Sequence, residues 1–347
     1  MPTRKLAVMV LLLGLTASCS TRGANTGAAA PQPAKPADSV KVALVPGGPH
    51  AYFQDWKPAG QRAKADFKLG AVTFDETSQW DQAKQNSVLN ALASQGYTAF
   101  GVFGVSPTDI NSTFSDLKAR GATVASLGSC PAGDKVDADF CLSTDVGDAA
   151  YKAAKAAIEA MGGKGTLVHL TGNNVDSNTQ RRIAGVRKAV EEAGVTLLTT
   201  ITDVDKDLQS AQKAVSDLLS AHGKDIQGIV TTAYNPAVAA AAGVKASGLP
   251  VKVVAIDDAP ETLAGIRDGS VAATVAQNPA GQAYVGTQVL TKLATGACTL
   301  KQPGVTVDSG SFVVTAKTVA TFDAERQAKT AQLTTQFDQL LTCKETR

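Results

Sequence analysis

Residues 251–279 read VKVVAIDDAPETLAGIRDGSVAATVAQNP, and this stretch decides the fold. A β-branched run ends at Ile256 and gives way to Asp257-Asp258. A helical segment follows over 260–267, and Asp268-Gly269 turns the chain into a second apolar run that ends at Gln277. Continuous apolar runs of this length suit strands buried on both faces of a parallel sheet, whose ligand sites form at the carboxyl ends of the strands. The pattern predicts a carboxylate, Asp257, and an amide, Gln277, at two strand ends, where they can exchange hydrogen bonds with hydroxyl groups. An Asp after a strand also closes turns without any ligand. A strand-end Gln before Asn-Pro has no comparable turn role.

The same alternation extends to the rest of the chain. Strands are expected at 40–45, 71–74, 97–102, 123–127, 167–170, 197–201, 226–230 and 253–256, and helices at 57–67, 78–95 and 107–120. A βαβα order implies parallel sheets covered by helices on both faces. The run is too long for one small sheet, and a second unit resembling the first begins at Asp145. Two doubly wound α/β lobes are therefore expected. The Ala-rich segment AVAAAAG, residues 237–243, reads as a helix packed closely on a sheet, Ala being the best helix former.

The segment VVAIDDAPE…DGSVAATVAQNP closely resembles the same region of the ribose-type periplasmic binding proteins, and the resemblance covers residues 40–322. It implies a type I periplasmic-binding fold: two parallel-sheet lobes joined by three crossing strands, here near Asp145, Gln277 and Asp308. One lobe would comprise 40–145 and 278–308, the other 146–277 and 309–322, followed by a C-terminal extension over 323–347. In that family the counterparts of Asp257 and Gln277 both contact a bound sugar.

Three loops supply further candidates. The first, GGPHAYFQDW at 47–56, places Tyr52, Phe53 and Trp56 within five residues, in a chain with only two Trp, five Tyr and ten Phe. Aromatic faces stack on the apolar face of a sugar while polar side chains take its hydroxyls; the same rings can equally plug the core beneath the loop. Ribose-type binders carry an aromatic pair here, to which Tyr52 and Phe53 correspond, although this loop is a few residues longer. The second, TGNNVDSNTQRRIAGVRKAV at 171–190, carries Asn174, Asp176, Asn178 and Gln180 into a helix, and capping accounts for one or two of them. The family holds sugar hydroxyls with an Arg at this helix start; Gln180 takes that place and Arg182 matches a neighbouring Arg. Asn178 and Gln180 are the expected contacts, with Arg182 ranked lower. The third, TTAYNPA at 231–237, matches a sugar-contacting position through Ala233, Tyr234 or Asn235, of which Asn235 also suits a helix start. The family's Asp-Arg pair after the strand at 123–127 is absent; Gly128-Ser129 and Cys130 stand there.

The N-terminus reads as a targeting segment. Arg4 and Lys5 precede an apolar stretch over 6–15, too short for the roughly 20 residues that a membrane span needs. Thr16-Ala17-Ser18-Cys19 resembles a bacterial lipobox, with Thr16 where the pattern prefers Leu, and predicts a signal peptide at 1–18 and lipidation of Cys19. An ordinary secretory signal is the alternative, and either one exports the chain. Residues 19–39 lack periodicity and read as a flexible tether. Of the 33 basic residues only Arg4 and Lys5 fall within 1–18, so the remainder balances the 31 acidic ones. This neutrality, with no basic run among aromatics, argues against a nucleic-acid partner. Besides Cys19, Cys130, Cys141, Cys298 and Cys343 form an even set in an exported chain and suggest disulfides. The favoured pairs are 130–141 and 298–343. A zinc site is disfavoured because no CxxC occurs and His50, His169 and His222 lie far from any Cys in sequence.

Neither a GxSxG elbow, a P-loop nor an HExxH motif is present, so no enzymatic activity, cofactor or metal is expected. Asp203, Asp205 and Asp207 alternate in a loop where such residues usually face solvent. The expectation is a monomeric, extracytoplasmic solute-binding lipoprotein of an ABC importer. It would capture a neutral sugar or short polyol between closing lobes and present it to a permease in the membrane. A sensor for a membrane receptor and a binder of a non-carbohydrate solute are the alternatives. A LacI-like regulator lacks its helix-turn-helix head here, and a glycosidase would need paired acids in the cleft.

Overall fold

The computed structural model describes residues 33–133, 135–174 and 176–344. The expected targeting segment, Cys19 and most of the expected tether lie outside them. The strands are β1 (Lys41–Val45), β2 (Ala71–Phe74), β3 (Ala99–Val102), β4 (Thr123–Leu127), β5 (Phe140–Ser143), β6 (Thr166–Leu170), β7 (Thr196–Ile201), β8 (Gly228–Thr231), β9 (Lys252–Ile256), β10 (Ala273–Ala276), β11 (Cys298–Leu300), β12 (Val305–Asp308), β13 (Phe312–Thr315) and β14 (Leu341–Cys343). The helices are α1 (Trp56–Phe67), α2 (Gln82–Ser94), α3 (Ile110–Ala119), α4 (Val146–Ala160), α5 (Ser177–Ala193), α6 (Leu208–His222), α7 (Tyr234–Ser247), α8 (Pro260–Asp268), α9 (Pro279–Ala294) and α10 (Phe322–Leu340).

Two six-stranded sheets result, in the orders β12-β5-β4-β3-β1-β2 and β13-β10-β9-β8-β6-β7. Strands β3, β4, β5, β8 and β10 are buried along nearly all their length, as a sheet covered on both faces requires. Edge strand β7 is partly exposed throughout. The pairing is parallel except for β13, which runs antiparallel to β10. The chain passes between the sheets three times: after β5, after β10, and in the short link from β12 to β13.

Helix starts follow capping chemistry. Asp145 accepts hydrogen bonds from the N–H groups of Gly147 and Asp148, Asp207 from Ser210, and Asn278 from Gly281. Helix α2 begins at Gln82 rather than near residue 78, because Gln79 and Trp80 take left-handed backbone (φ 53° and 59°) and Asp81 caps the helix. Helices α4 and α5 approach so closely that a β-carbon at Gly185 would lie 2.2 Å from the Gly147 carbonyl oxygen.

Each sheet has its own apolar layers, and α10 belongs to both. Its first residue, Phe322, lies in the layer of the second sheet, whereas Leu333 and Phe337 lie in that of the first. Disulfides join Cys130 to Cys141 and Cys298 to Cys343, the latter locking the two-stranded β11–β14 ribbon at the end of α10.

Candidate ligand-binding site

Strands β9 and β10 are parallel neighbours, so their carboxyl ends bring Asp257 and Gln277 together. Gln277 Nε2 donates to Asp257 Oδ1 at 2.7 Å, and both residues are buried, 3% and 6% exposed. Asp257 has φ +76°, a left-handed conformation unusual for a residue with a β-carbon. Two contacts from β10 hold it there: its N–H donates to the Val275 carbonyl at 3.0 Å, and its carbonyl accepts from Thr274 Oγ1 at 2.6 Å. Burial raises the Asp257 carboxyl pKa, while the Arg182 guanidinium, the Gln277 hydrogen bond and His50 act in the opposite direction.

Arg182 projects from the second turn of α5 toward this pair. Its charge acts on Asp257, His50, Tyr52 and His169, and its Nε is buried with no hydrogen-bond partner among the described residues. Asn178, one turn earlier, is buried and donates through Nδ2 to Ser129 Oγ at 3.3 Å, linking the second lobe to the first. Gln180 lies elsewhere: it is exposed, and its amide donates to the backbone and side-chain oxygens of Asn174. A helix turns about 100° per residue, so positions 178 and 182 share a face that 180 does not.

The loop after β1 forms the facing wall. Tyr52 donates its hydroxyl to Gln282 Oε1 at 2.9 Å, and Gln282 Nε2 donates to Thr144 Oγ1 and Ser309 Oγ at 3.2 and 2.9 Å. Thr144 and Ser309 lie on the first and third passages between the lobes, so the Tyr52 hydroxyl is engaged at the hinge. Burial above all, with the nearby Asp257 charge, raises the Tyr52 pKa. Phe53 and Trp56 are buried in the core of the first lobe, their ring centroids 5.0 Å apart.

Four residues not singled out from sequence complete the arrangement. His50 Nδ1 accepts from the Tyr52 N–H at 3.2 Å, which leaves Nε2–H to donate to Asp205 Oδ2 at 3.3 Å on the opposite lobe. Burial favours the neutral ring, but the hydrogen bond and charge of Asp205, with Asp257, raise the His50 pKa overall. Asp205 is held by Asn235, whose N–H and Nδ2 donate to its side chain and carbonyl at 2.8 and 2.9 Å. The Tyr234 ring stands 6.0 Å from His50 across the cleft, and burial, followed by nearby carboxylates, pushes its hydroxyl to about 12. Trp80, 47% exposed, sets its ring edgewise to His50 and Phe103 at 6.2 and 6.0 Å. Gly47 and Gly48 make room for it, since a β-carbon on Gly48 would come within 2.7 Å of that ring. The fourth is Asp258, beside Asp257: its carboxyl is pushed up to about 6 by burial first, then by Asp257 and Asp55, against the pull of Arg326. The glycine pair before His50 was the one sequence signal for a ring packed on this loop.

Two doubly wound lobes, with charged and aromatic side chains converging from both at strand ends, define a two-lobed solute-binding architecture. The profile of the periplasmic binding protein domain matches residues 42–298, and the chain belongs to that family. A curated relative is the ribose import binding protein RbsB of Bacillus subtilis, 25% identical over 230 residues that cover 66% of this chain and 71% of the relative. Among solved structures, an ABC transporter solute-binding protein from Burkholderia graminis in complex with D-arabinose superposes with a TM-score of 0.72 at 22% identity, covering 82% of this chain and 98% of that one. A periplasmic solute-binding protein from Actinobacillus succinogenes with bound D-allose gives 0.74 at 18% identity, over 81% and 99% of the two chains. These likenesses support the type I periplasmic-binding fold. Among the described residues, no helix is long and apolar enough to cross a membrane, and no group of three or more His, Cys, Asp or Glu is placed to hold a metal ion.

Proposed function

We propose that this protein is the extracytoplasmic solute-binding component of a sugar ABC importer, capturing a neutral sugar or short polyol in the cleft and presenting it to a membrane permease. One observation carries the reading: the buried Asp257–Gln277 pair faces Arg182 and His50 beside an aromatic wall. A carboxylate that accepts, an amide that does both and a guanidinium with an unpartnered buried Nε suit vicinal hydroxyls, while rings cover the apolar face of a sugar. Carboxylates outnumber cations at the site, Asp257, Asp258 and Asp205 against Arg182 and His50, which disfavours an anionic solute. The relatives with sugar-named ligands support the same class. The contacts we assign are Asp257, Gln277, Arg182, Asn178 and Tyr234, with Tyr52 facing them, Phe53 and Trp56 backing that wall from the core and Asn235 holding Asp205. Gln180, exposed and bonded to Asn174, is not among them. The reading includes a monomer of two lobes, 40–145 with 278–308 and 146–277 with 309–322. It also includes anchoring through a lipid on Cys19, which mass spectrometry of the mature N-terminus tests.

The functional test is a thermal-shift screen against pentoses, hexoses, polyols and amino acids. A ligand that binds only the folded state raises Tm by mass action, about 2.7 kcal/mol at a hundredfold excess over Kd. One sugar or polyol should give a clear shift that Asp257→Ala and Gln277→Ala each abolish. A shift from amino acids alone, with none from carbohydrates, overturns the ligand class and leaves the fold untouched.

A further inference from the structure

We propose that Arg326 is an interlobe latch, gripping Asp55 of one lobe and Asp258 of the other and so setting how readily the cleft opens. The latch follows from how α10 joins the lobes and does not depend on which ligand binds.

Helix α10 is a fourth connection between the lobes, after the three strand passages. At its start Phe322 packs against Phe312 of β13, ring centroids 5.9 Å apart, in the second lobe. Near its end Phe337 packs against Phe140 of β5 at 5.1 Å, in the first. Midway, Thr330 Oγ1 accepts from Asn278 Nδ2 at 2.9 Å, where the chain passes between the lobes for the second time. A helix fixed at both ends resists relative motion of the bodies it joins.

The guanidinium of Arg326 lies where these two bodies meet. It is 3.0 Å from Asp55 Oδ2, in the loop that leads from β1 into α1 of the first lobe. It is 3.8 Å from Asp258 Oδ2, just beyond β9 in the second, next to the candidate ligand residue Asp257. Asp323, one turn back on α10, takes the other terminal nitrogen at 3.2 Å and fixes the plane of the fork. The Arg326 side chain is 29% exposed and Asp258 19%, so solvent screens that arm less than a free surface pair, whereas Asp55 at 42% is the more screened, salt-sensitive arm. Asp55 stands at the cap position of α1 but makes no capping hydrogen bond there, which leaves its carboxylate to the guanidinium. Only a planar, multi-donor cation serves three carboxylates at once, which a lysine ammonium does poorly. When the lobes part, the distance between Asp55 and Asp258 must grow, and the guanidinium loses at least one of them. Loss of the latch removes an interaction made only when the lobes are together and therefore raises the open fraction.

The test is small-angle X-ray scattering without ligand on the chain from residue 34, whose compact unit Ala34–Arg347 contains all four apolar clusters. Arg326→Ala and Asp55→Asn should each raise the radius of gyration to a common value. The double variant should add nothing, and Arg326→Lys should fall between. Salt should move the parent toward the variants by screening. An unchanged radius in both single variants overturns the latch. Expansion in Arg326→Ala but not Asp55→Asn also overturns it, leaving Arg326 only a local role on α10. Should Arg326→Ala fail to fold, Asp55→Asn decides alone, since it leaves α10 intact and breaks no cap.

Discussion

At the scale of single residues, Asp257 joins an unusual backbone to a buried charge. Non-glycine residues in left-handed backbone cost of order 1–3 kcal/mol and persist only where their surroundings hold them, as Thr274 and Val275 do here. Asn tolerates the same backbone and removes the charge that burial disfavours. Asp257→Asn should therefore raise Tm at neutral pH while abolishing the ligand-induced shift; a scan with and without ligand reads both. Asp258 gives a pH dependence. Its folded pKa of about 6 lies above the unfolded value, so its contribution is complete at low pH and is lost as pH rises from about 4 to about 6. The groups facing it are Asp257, Asp55, Tyr234, Tyr52 and the opposing Arg326. Urea titrations should show stability falling over that interval by up to roughly 2–3 kcal/mol, and Asp258→Asn should flatten the slope. Asp257 and Gln277 were legible in the sequence because a strand end is a one-dimensional feature. Asp205 was not, since the alternating acids have separate roles that depend on distant partners: Asp203 accepts from the Asn174 N–H, Asp205 meets His50, and Asp207 caps α6.

At the scale of elements, close approach can outweigh propensity. Replacing a mid-helix Gly by Ala usually stabilises by about 0.5–1 kcal/mol. Gly185→Ala should instead destabilise, because its methyl would meet the Gly147 carbonyl backbone of α4 and force the helices apart. Chemical denaturation gives the sign. Helix α10 depends on few anchors, and Phe337→Ala should cost about 3–5 kcal/mol by emptying a fully packed site. Cys343→Ser opens a loop between residues 45 apart, and chain entropy puts that loss at about 4 kcal/mol as an upper figure. The buried central strands announced themselves through apolar runs. By contrast β12 and β13 are short and partly exposed. Antiparallel β13 depends on a short passage between lobes rather than on any local pattern. Along α10 only Phe322, Leu333 and Phe337 are buried, too sparse a stripe to mark a helix that spans both lobes.

At the scale of the whole molecule, the two lobes contribute unlike chemistry to the cleft. The first supplies rings, from Tyr52 to Trp80; the second supplies most of the hydrogen-bonding groups, Asp257, Gln277, Arg182 and Asn178. The α/β alternation revealed the lobes because every strand must be covered by its own helix, whereas contacts between lobes leave no period in the chain. Closure should therefore be sensed mainly at the wall of the first lobe, and its placement has an optical consequence. The protein has only two tryptophans, both in the first lobe: Trp56 is fully buried in the core behind that wall, and Trp80 is half exposed beside a histidine that meets the opposite lobe. The emission spectrum is thus a sum of one indole that cannot feel the lobes move and one that must. Capture of a solute should shift the Trp80 component to the blue and protect it from acrylamide. Trp80→Phe should silence the response and Trp56→Phe should preserve it, so the chain carries an unlabelled fluorescent gauge of its own closing.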